Sequence, residues 1–171
     1  MHQPELQLLP VSRSHKEAFT ESRERLGSAL KLRVPQGWPQ FPEAFDPAGH
    51  QESVEWSGYF FVSADHQSIV GSGGFAGPPV DGEVEIGYEI APEFRNQGFA
   101  TSAVRAMLGK AFSAESVQFV VAHTLAERNA SNGVLTKLGM TFVAELANEE
   151  VGKVWRWRIQ RPQVNGVAAQ G

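Results

Sequence analysis

The sequence predicts a single mixed α/β domain built on a central sheet. Glu83 to Ile90 alternates strictly, with Val84, Ile86, Tyr88 and Ile90 on one side and Glu83, Glu85, Gly87 and Glu89 on the other, the period of a half-buried strand. A little further on, Ala100, Ala103, Val104, Met107, Leu108 and Ala111 recur at i, i+3, i+4, i+7, i+8 and i+11, an apolar stripe along a helix. Strand candidates outnumber helices over the whole chain and interleave with them in its second half. With 171 residues, 42% of them hydrophobic, the chain can bury one core. The domain is expected over residues 1–161, with 162–171 as a loose Gly/Ala/Gln tail.

From the N-terminus, Leu6 to Val11 reads as a short strand, and Ser12-Arg13-Ser14 offers hydroxyl caps for one helix carrying Phe19, Leu26 and Leu30. Between Arg33 and Glu55, Pro35, Gly37, Pro39, Pro42 and Pro47 break any long helix, while Trp38, Phe41 and Phe45 add aromatic bulk. A short helix fits after Pro42. Trp56 to Val62 and Ser68 to Phe75 form a hairpin that Gly77-Pro78-Pro79 ends. Beyond the striped helix, Val117 to Ala122 is an almost continuous apolar run, suited to a strand covered on both faces. A last helix with Val134, Leu135 and Leu138 stops at Gly139, before strands at Thr141 to Leu146 and Val154 to Ile159.

Composition excludes several functions. Without cysteine there is no disulfide, no thiolate nucleophile and no cysteine-rich zinc site, and the five histidines lack ligand spacing, so no metal is expected. A net charge of −4 argues against a general affinity for nucleic acid and suits a cationic partner. The sequence shows neither a signal-like leader nor the roughly 18 unbroken apolar residues of a membrane span. No membrane partner and a cytoplasmic location are therefore expected.

Between the alternating strand and the striped helix lies Ala91-Pro92-Glu93-Phe94-Arg95-Asn96-Gln97-Gly98-Phe99-Ala100-Thr101. A helix N-terminus carries unpaired N–H groups and partial positive charge, so it seats phosphate oxygens. Gly98 keeps the approach clear, Ala100 lets the first turn lie close, and Arg95 adds a fixed charge. A competing G-x-G-x-x-A spelling, Gly71 to Ala76, follows a strand but lacks the helix that a dinucleotide loop requires; its glycines better suit a bent strand.

Glu85-Ile86-Gly87-Tyr88 followed by Phe94 to Thr101 resembles the signature of GNAT acetyltransferases, whose R/Q-x-x-G-x-G/A loop binds the pyrophosphate of CoA. Asn129 to Met140 resembles the Asn/Ser-bearing helix of the branch that includes the ribosomal-protein N-terminal acetyltransferases. The resemblance is close over about residues 83–142. It implies a GNAT-like, mostly antiparallel sheet of about seven strands, splayed in its middle, flanked by about four helices, with acetyl-CoA as cosubstrate held between the fourth and fifth strands. By the same resemblance, CoA contacts fall on Tyr88, Glu89, Ile90, Arg95, Asn96, Gln97, Gly98, Phe99, Ala100, Thr101, Asn129 and Ser131, with Arg128 as the alternative to Asn129. A backbone N–H near Tyr88 to Ile90, freed by a strand bulge, would polarise the thioester carbonyl.

Acetyl transfer to an amine needs a neutral amine, a polarised carbonyl and a proton for the leaving thiolate. Ser131 shares a helical stripe with Val134, Leu135 and Leu138 and is the candidate proton donor, a helix cap being the other reading of it. Glu85 is the preferred base, with Glu89, His123, Glu145, Glu149 and Glu150 as rivals. Trp38, Phe41 and Glu43 are expected in the acceptor site, where carboxylates would draw in a cationic amine. The expected partner is an amine acceptor, either a small molecule or a protein N-terminus, and a homodimer stays open. The alternatives are a regulatory CoA-binding domain without turnover and an interaction module using Trp38, Phe41, Phe45 and Trp56.

Overall fold

A computed structural model describes residues 3–49, 55–126 and 130–162 of the chain. Its elements, in order, are β1 (Gln7–Pro10), α1 (Arg13–Glu21), α2 (Arg23–Leu30), β2 (Gly58–Ser63), β3 (Ser68–Phe75), β4 (Glu83–Ile90), α3 (Phe99–Phe112), β5 (Phe119–Leu125), α4 (Ala130–Lys137), β6 (Thr141–Asn148) and β7 (Gly152–Gln160). The strands form one seven-stranded sheet in the order β1-β2-β3-β4-β5-β7-β6. Every neighbouring pair is antiparallel except β4 and β5, which are joined by the α3 crossover.

That parallel pairing is short. It runs from Glu83↔Phe119 to Ile86↔Ala122 and stops, while β4 stays paired with β3 up to Ile90↔Gly71 and β5 with β7 up to Leu125↔Val154. The sheet therefore splays between its two middle strands. The sequence-based expectation of a bulge in β4 is corrected here, because the β3/β4 register is unbroken and the shift lies between Phe61 and Val62 in β2. Separation from β5, not a bulge, frees the β4 backbone.

The single helix expected after the first strand is two. Ser22 is extended (φ −172°, ψ 160°) and its hydroxyl accepts from the N–H of Arg25, so it ends α1 and caps α2. Ser12 caps α1 in a reciprocal pair with His15. The short helix expected after Pro42 appears as two 3₁₀ turns, Pro42–Phe45 and Pro47–Gly49. Val117 precedes β5, its N–H closing a turn onto the carbonyl of Ala114.

α1, α2 and the loop after them pack on one face of the sheet, where Trp38 is fully buried beside Phe19, Phe45 and Phe60. Its indole N–H donates to Ser72 Oγ at 2.9 Å. The expectation that Trp38 contacts an acceptor is thereby corrected: it is a core residue. On the other face α3 buries Ala103, Val104, Met107 and Ala111, the stripe read from the sequence. Trp157 Nε1 donates to Thr124 Oγ1, and Thr124 Oγ1 donates to Asn132 Oδ1, a buried chain that ties α4 to β5 and β7. Replacing Trp38 with Phe keeps most of the volume but leaves the buried Ser72 hydroxyl without its donor. It should lower unfolding free energy by about 1–3 kcal/mol, read by urea denaturation.

Candidate active site

The loop after β4 is anchored by aromatic packing. Phe94 and Phe99 are buried with ring centroids 5.7 Å apart, and His66 lies edge-on to both. Glu93 receives the Arg33 guanidinium at 2.6 and 3.1 Å, and that contact holds its carboxyl below the usual range. Gly98 is the N-cap of α3 at φ 90° and offers no side chain to the first turn. Since the first α3 bond runs from Ser102 N to Gly98 O, the N–H groups of Phe99, Ala100 and Thr101 remain for an external anion. Arg95 is exposed beside them, its Nε donating to the Ile90 carbonyl at 3.1 Å. Asn96 and Gln97 are exposed, and Gln97 is turned back onto the Glu93 carbonyl.

The structure adds to glycine at 98 a reason that the sequence did not show. A Cβ there would meet Pro4 Cδ at 2.9 Å, so glycine serves the left-handed turn and the passage of the N-terminal segment. That segment is held by Ser102 Oγ, which donates to the Pro4 carbonyl at 2.6 Å.

Beyond Ile86 the β4 backbone borders the splay. Ala91 N donates to Val70 O and Ala76 N donates to Glu85 O, so odd-numbered residues of β4 turn their polar groups toward β3. Even-numbered residues turn theirs toward β5, and past the last paired residues the N–H groups of Tyr88 and Ile90 face the gap. The Tyr88 side chain lies on the α4 side, its hydroxyl 2.6 Å from Ser131 Oγ. Burial pushes the Tyr88 phenol above its ordinary range, the Ser131 hydrogen bond opposing. The phenol thus keeps its proton.

On the opposite face lies a cleft of about 530 Å³ that includes Glu85, Gly87, Glu89, His123, Phe41, Phe45, Lys16 and Tyr59 in its walls. Gly58, Gly74 and Gly87 stand opposite one another in β2, β3 and β4, so its floor carries no side chains along that row. His123 Nδ1 is 2.9 Å from Glu85 Oε2. Glu89 accepts from the backbone N–H groups of Gln40 at 2.7 Å and Phe41 at 3.4 Å, so it pins the loop.

Of the residues singled out in the sequence, Tyr88 with Ser131, and Glu85 with His123, are brought together at the two sides of the gap. Phe41 lines the cleft, whereas Glu43 is exposed and outside it. Arg128 and Asn129 lie outside the described residues. Glu145 is on β6, receiving the Trp155 indole N–H and facing Lys153. Sequence reasoning missed the Tyr88 hydroxyl, having used only its backbone, and missed Lys16, although Lys16 and Phe19 share a helical face. Among the described residues, no cluster of three or more acidic or histidine side chains could hold a metal, and no helix is long and apolar enough to cross a membrane.

The chain is thus a splayed seven-stranded sheet with an α3 N-terminus that no side chain caps at the mouth of the splay. The model of the acetyltransferase (GNAT) domain family matches residues 5–141, and the chain belongs to that family. An uncharacterised N-acetyltransferase of Bacillus subtilis, YjdG, is 32% identical over 82 residues, which span 47% of this chain and only 49% of that protein. Among solved structures, an acetyltransferase of the GNAT family from Bacillus anthracis superposes with a TM-score of 0.65 at 18% identity, covering 95% of this chain and 99% of that one. A dodecameric spermidine N-acetyltransferase from Vibrio cholerae gives 0.66 at 16% identity, over 91% of this chain and 94% of that chain. The ribosomal-protein-S5-alanine acetyltransferase of Vibrio fischeri gives 0.66 at 14% identity, over 95% and 97%. These structural likenesses establish the fold.

Two substitutions separate the roles of the loop residues. Gly98→Val combines positive-φ strain with the Pro4 clash and should cost at least about 1–2 kcal/mol of stability. Arg95→Ala, on an exposed side chain, should stay within about 0.5 kcal/mol of the parent in thermal unfolding.

Proposed function

We propose that this chain is an acetyl-CoA-dependent N-acetyltransferase that passes the acetyl group to a primary amine by direct attack in a ternary complex. The observation that carries the reading is the split sheet, with a protonated hydroxyl pair on one face of the gap and a carboxylate–imidazole pair on the other. Acetyl-CoA supplies an activated acyl thioester. The free N–H groups of Phe99 to Thr101, with Arg95, suit its pyrophosphate, and the Tyr88 or Ile90 N–H suits the carbonyl oxygen as negative charge develops there.

On the cleft side His123 takes the proton of the attacking amine. With Nδ1–H donated to Glu85, the Nε2 lone pair is the one left to accept it, and Glu85 becomes a positioning residue. On the α4 side the departing sulfur is protonated by the Tyr88–Ser131 pair. The chain has no cysteine, and the described partner of Ser131 Oγ is a phenol and not a base, which favours direct transfer over an acyl-enzyme. The solved neighbours named for spermidine and for S5 alanine support an amine acceptor as a class.

The reading is tested by CoA release from acetyl-CoA with a panel of primary amines. Release with one or more amines is expected. Acetyl-CoA binding without release to any of them would favour the regulatory alternative. With an accepted amine, Tyr88→Phe and Ser131→Ala should each lower kcat by about 10²-fold. Because the Tyr88 pKa is raised, its proton is retained as pH rises until that elevated pKa is passed, so the alkaline fall in kcat belongs above the ordinary tyrosine range. Tyr88→Phe should remove that fall; an unchanged alkaline limb in this variant would argue against the assignment. Gly87→Val adds a side chain that meets no atom within 4 Å from its Cβ and enters the cleft. It should raise the acceptor KM strongly while keeping the parent's melting temperature.

A further inference from the structure

Within α1 the one buried residue is a lysine. Lys16 is 8% exposed and lines the cleft that holds Glu85 and His123. Its ammonium makes no hydrogen bond or ion pair with any described residue. It is also not among the buried nitrogens sealed from solvent without a partner, which are Arg156 Nε and Arg158 Nε. An ammonium on a buried stem, in a residue whose remaining exposure is to a cleft, is open to what the cleft contains. Burial lowers its pKa, as does Arg13 on the same helix, while Asp46 acts the other way. Asp46 comes no closer than that: its Oδ1 is bonded to the N–H of Ala48.

The carboxylates of the cleft point to the same acceptor chemistry. Glu89 is spent on the backbone of Gln40 and Phe41, and Glu85 on His123. Accepting hydrogen bonds leaves a carboxylate's charge in place, so the cleft has carboxylates beside His123 at one end and the Lys16 ammonium at the other, the two signs that an amine and a carboxylate on one molecule would meet. The walls between are apolar, with Val11, Phe41, Phe45 and Phe75. α1 sits above β2, since the His15 ring packs on Phe60 at 5.6 Å, whereas Glu85 and His123 are on β4 and β5. Two to three strand spacings, roughly 10–14 Å, therefore separate the two ends before the reach of the lysine is subtracted.

Resting on the transferase reading above, we propose that Lys16 recognises the acceptor and that the acceptor is a primary amine carrying a carboxylate at its other end across an apolar middle. The carboxylate accepts the charge-assisted hydrogen bonds that the buried ammonium lacks, and it sets the amine toward His123.

The test is acetyl transfer to a series of ω-amino acids from glycine to 6-aminohexanoate, each paired with its carboxamide, and to spermidine. The native chain should prefer the best acid over its amide by about 10- to 100-fold in kcat/KM, the worth of a charge-assisted hydrogen bond. In Lys16→Met, which makes a buried position apolar and whose fold is checked by thermal unfolding, that ratio should fall toward one, and Lys16→Arg should restore part of it. A native ratio near one, a preference for spermidine, or an undiminished ratio in a folded Lys16→Met overturns the proposal while leaving amine acetylation intact. Calorimetry with 6-aminohexanoate separates the remaining outcomes. Binding lost in Lys16→Met, with no transfer to any amine, keeps the anion site and rejects the transferase reading. Absence of both binding and transfer rejects both.

Discussion

The early end of one strand pairing governs the rest of the molecule. β4 and β5 hold four residues in parallel register and then part, and the two arms of the split survive because each keeps a full antiparallel partner on its outer side. A freed backbone edge inside a protein is costly unless something meets its polar groups. Part of the demand is met internally, by Arg95 on the Ile90 carbonyl. The N–H groups of Tyr88 and Ile90 remain directed at the gap, so the geometry that opens the sheet also leaves it prepared to hold a carbonyl. The chain from Trp157 through Thr124 to Asn132 holds the far arm and α4 together, which fixes the height at which Ser131 meets Tyr88.

Strand alternation then sorts the chemistry between two environments. Tyr88 shares a face with Val84 and Ile86, under α3 and α4, where burial favours the neutral phenol. Glu85, Gly87 and Glu89 share the other face, which opens to solvent through the cleft. The half-buried phenol and the carboxylate–imidazole pair therefore lie on opposite faces of the strand. One residue of slip in β4 would exchange them, and the β3 register, unbroken from Gly71↔Ile90 to Phe75↔Ile86, prevents that slip.

What could be read in the sequence was what local periodicity encodes. The β4 alternation, the α3 stripe and the loop between them are contiguous, and each appeared where the residues placed it. The pairs that make the candidate site are not contiguous: Tyr88 and Ser131 are 43 residues apart and Glu85 and His123 are 38 apart, and no pattern within one element announces such meetings. The break at Ser22 was missed because neither proline nor glycine marks it; a hydroxyl accepting one N–H suffices. Trp38 was misread because prolines and aromatics identify a loop without saying which of its rings turn inward. Three rings around Trp38 and a donor bond to Ser72 decide that, and these come from α1, the loop and two strands.

Charge shows the same limit at a larger scale. A net −4 suits a cationic partner, yet summed charge is a property of the whole surface, and a site responds to the charges that stand within it. Glu89 accepts from two backbone N–H groups, Glu85 faces an imidazole, and the α1 position that an apolar side chain would ordinarily occupy holds an ammonium. The cleft thus carries both signs, carboxylates near His123 and an ammonium on α1. Structural relatives at 14–18% identity share the fold. On the proposed reading, acceptor choice belongs to α1, the loop after α2 and the floor of β2 to β4, where the buried Lys16 and not the shared frame sets it.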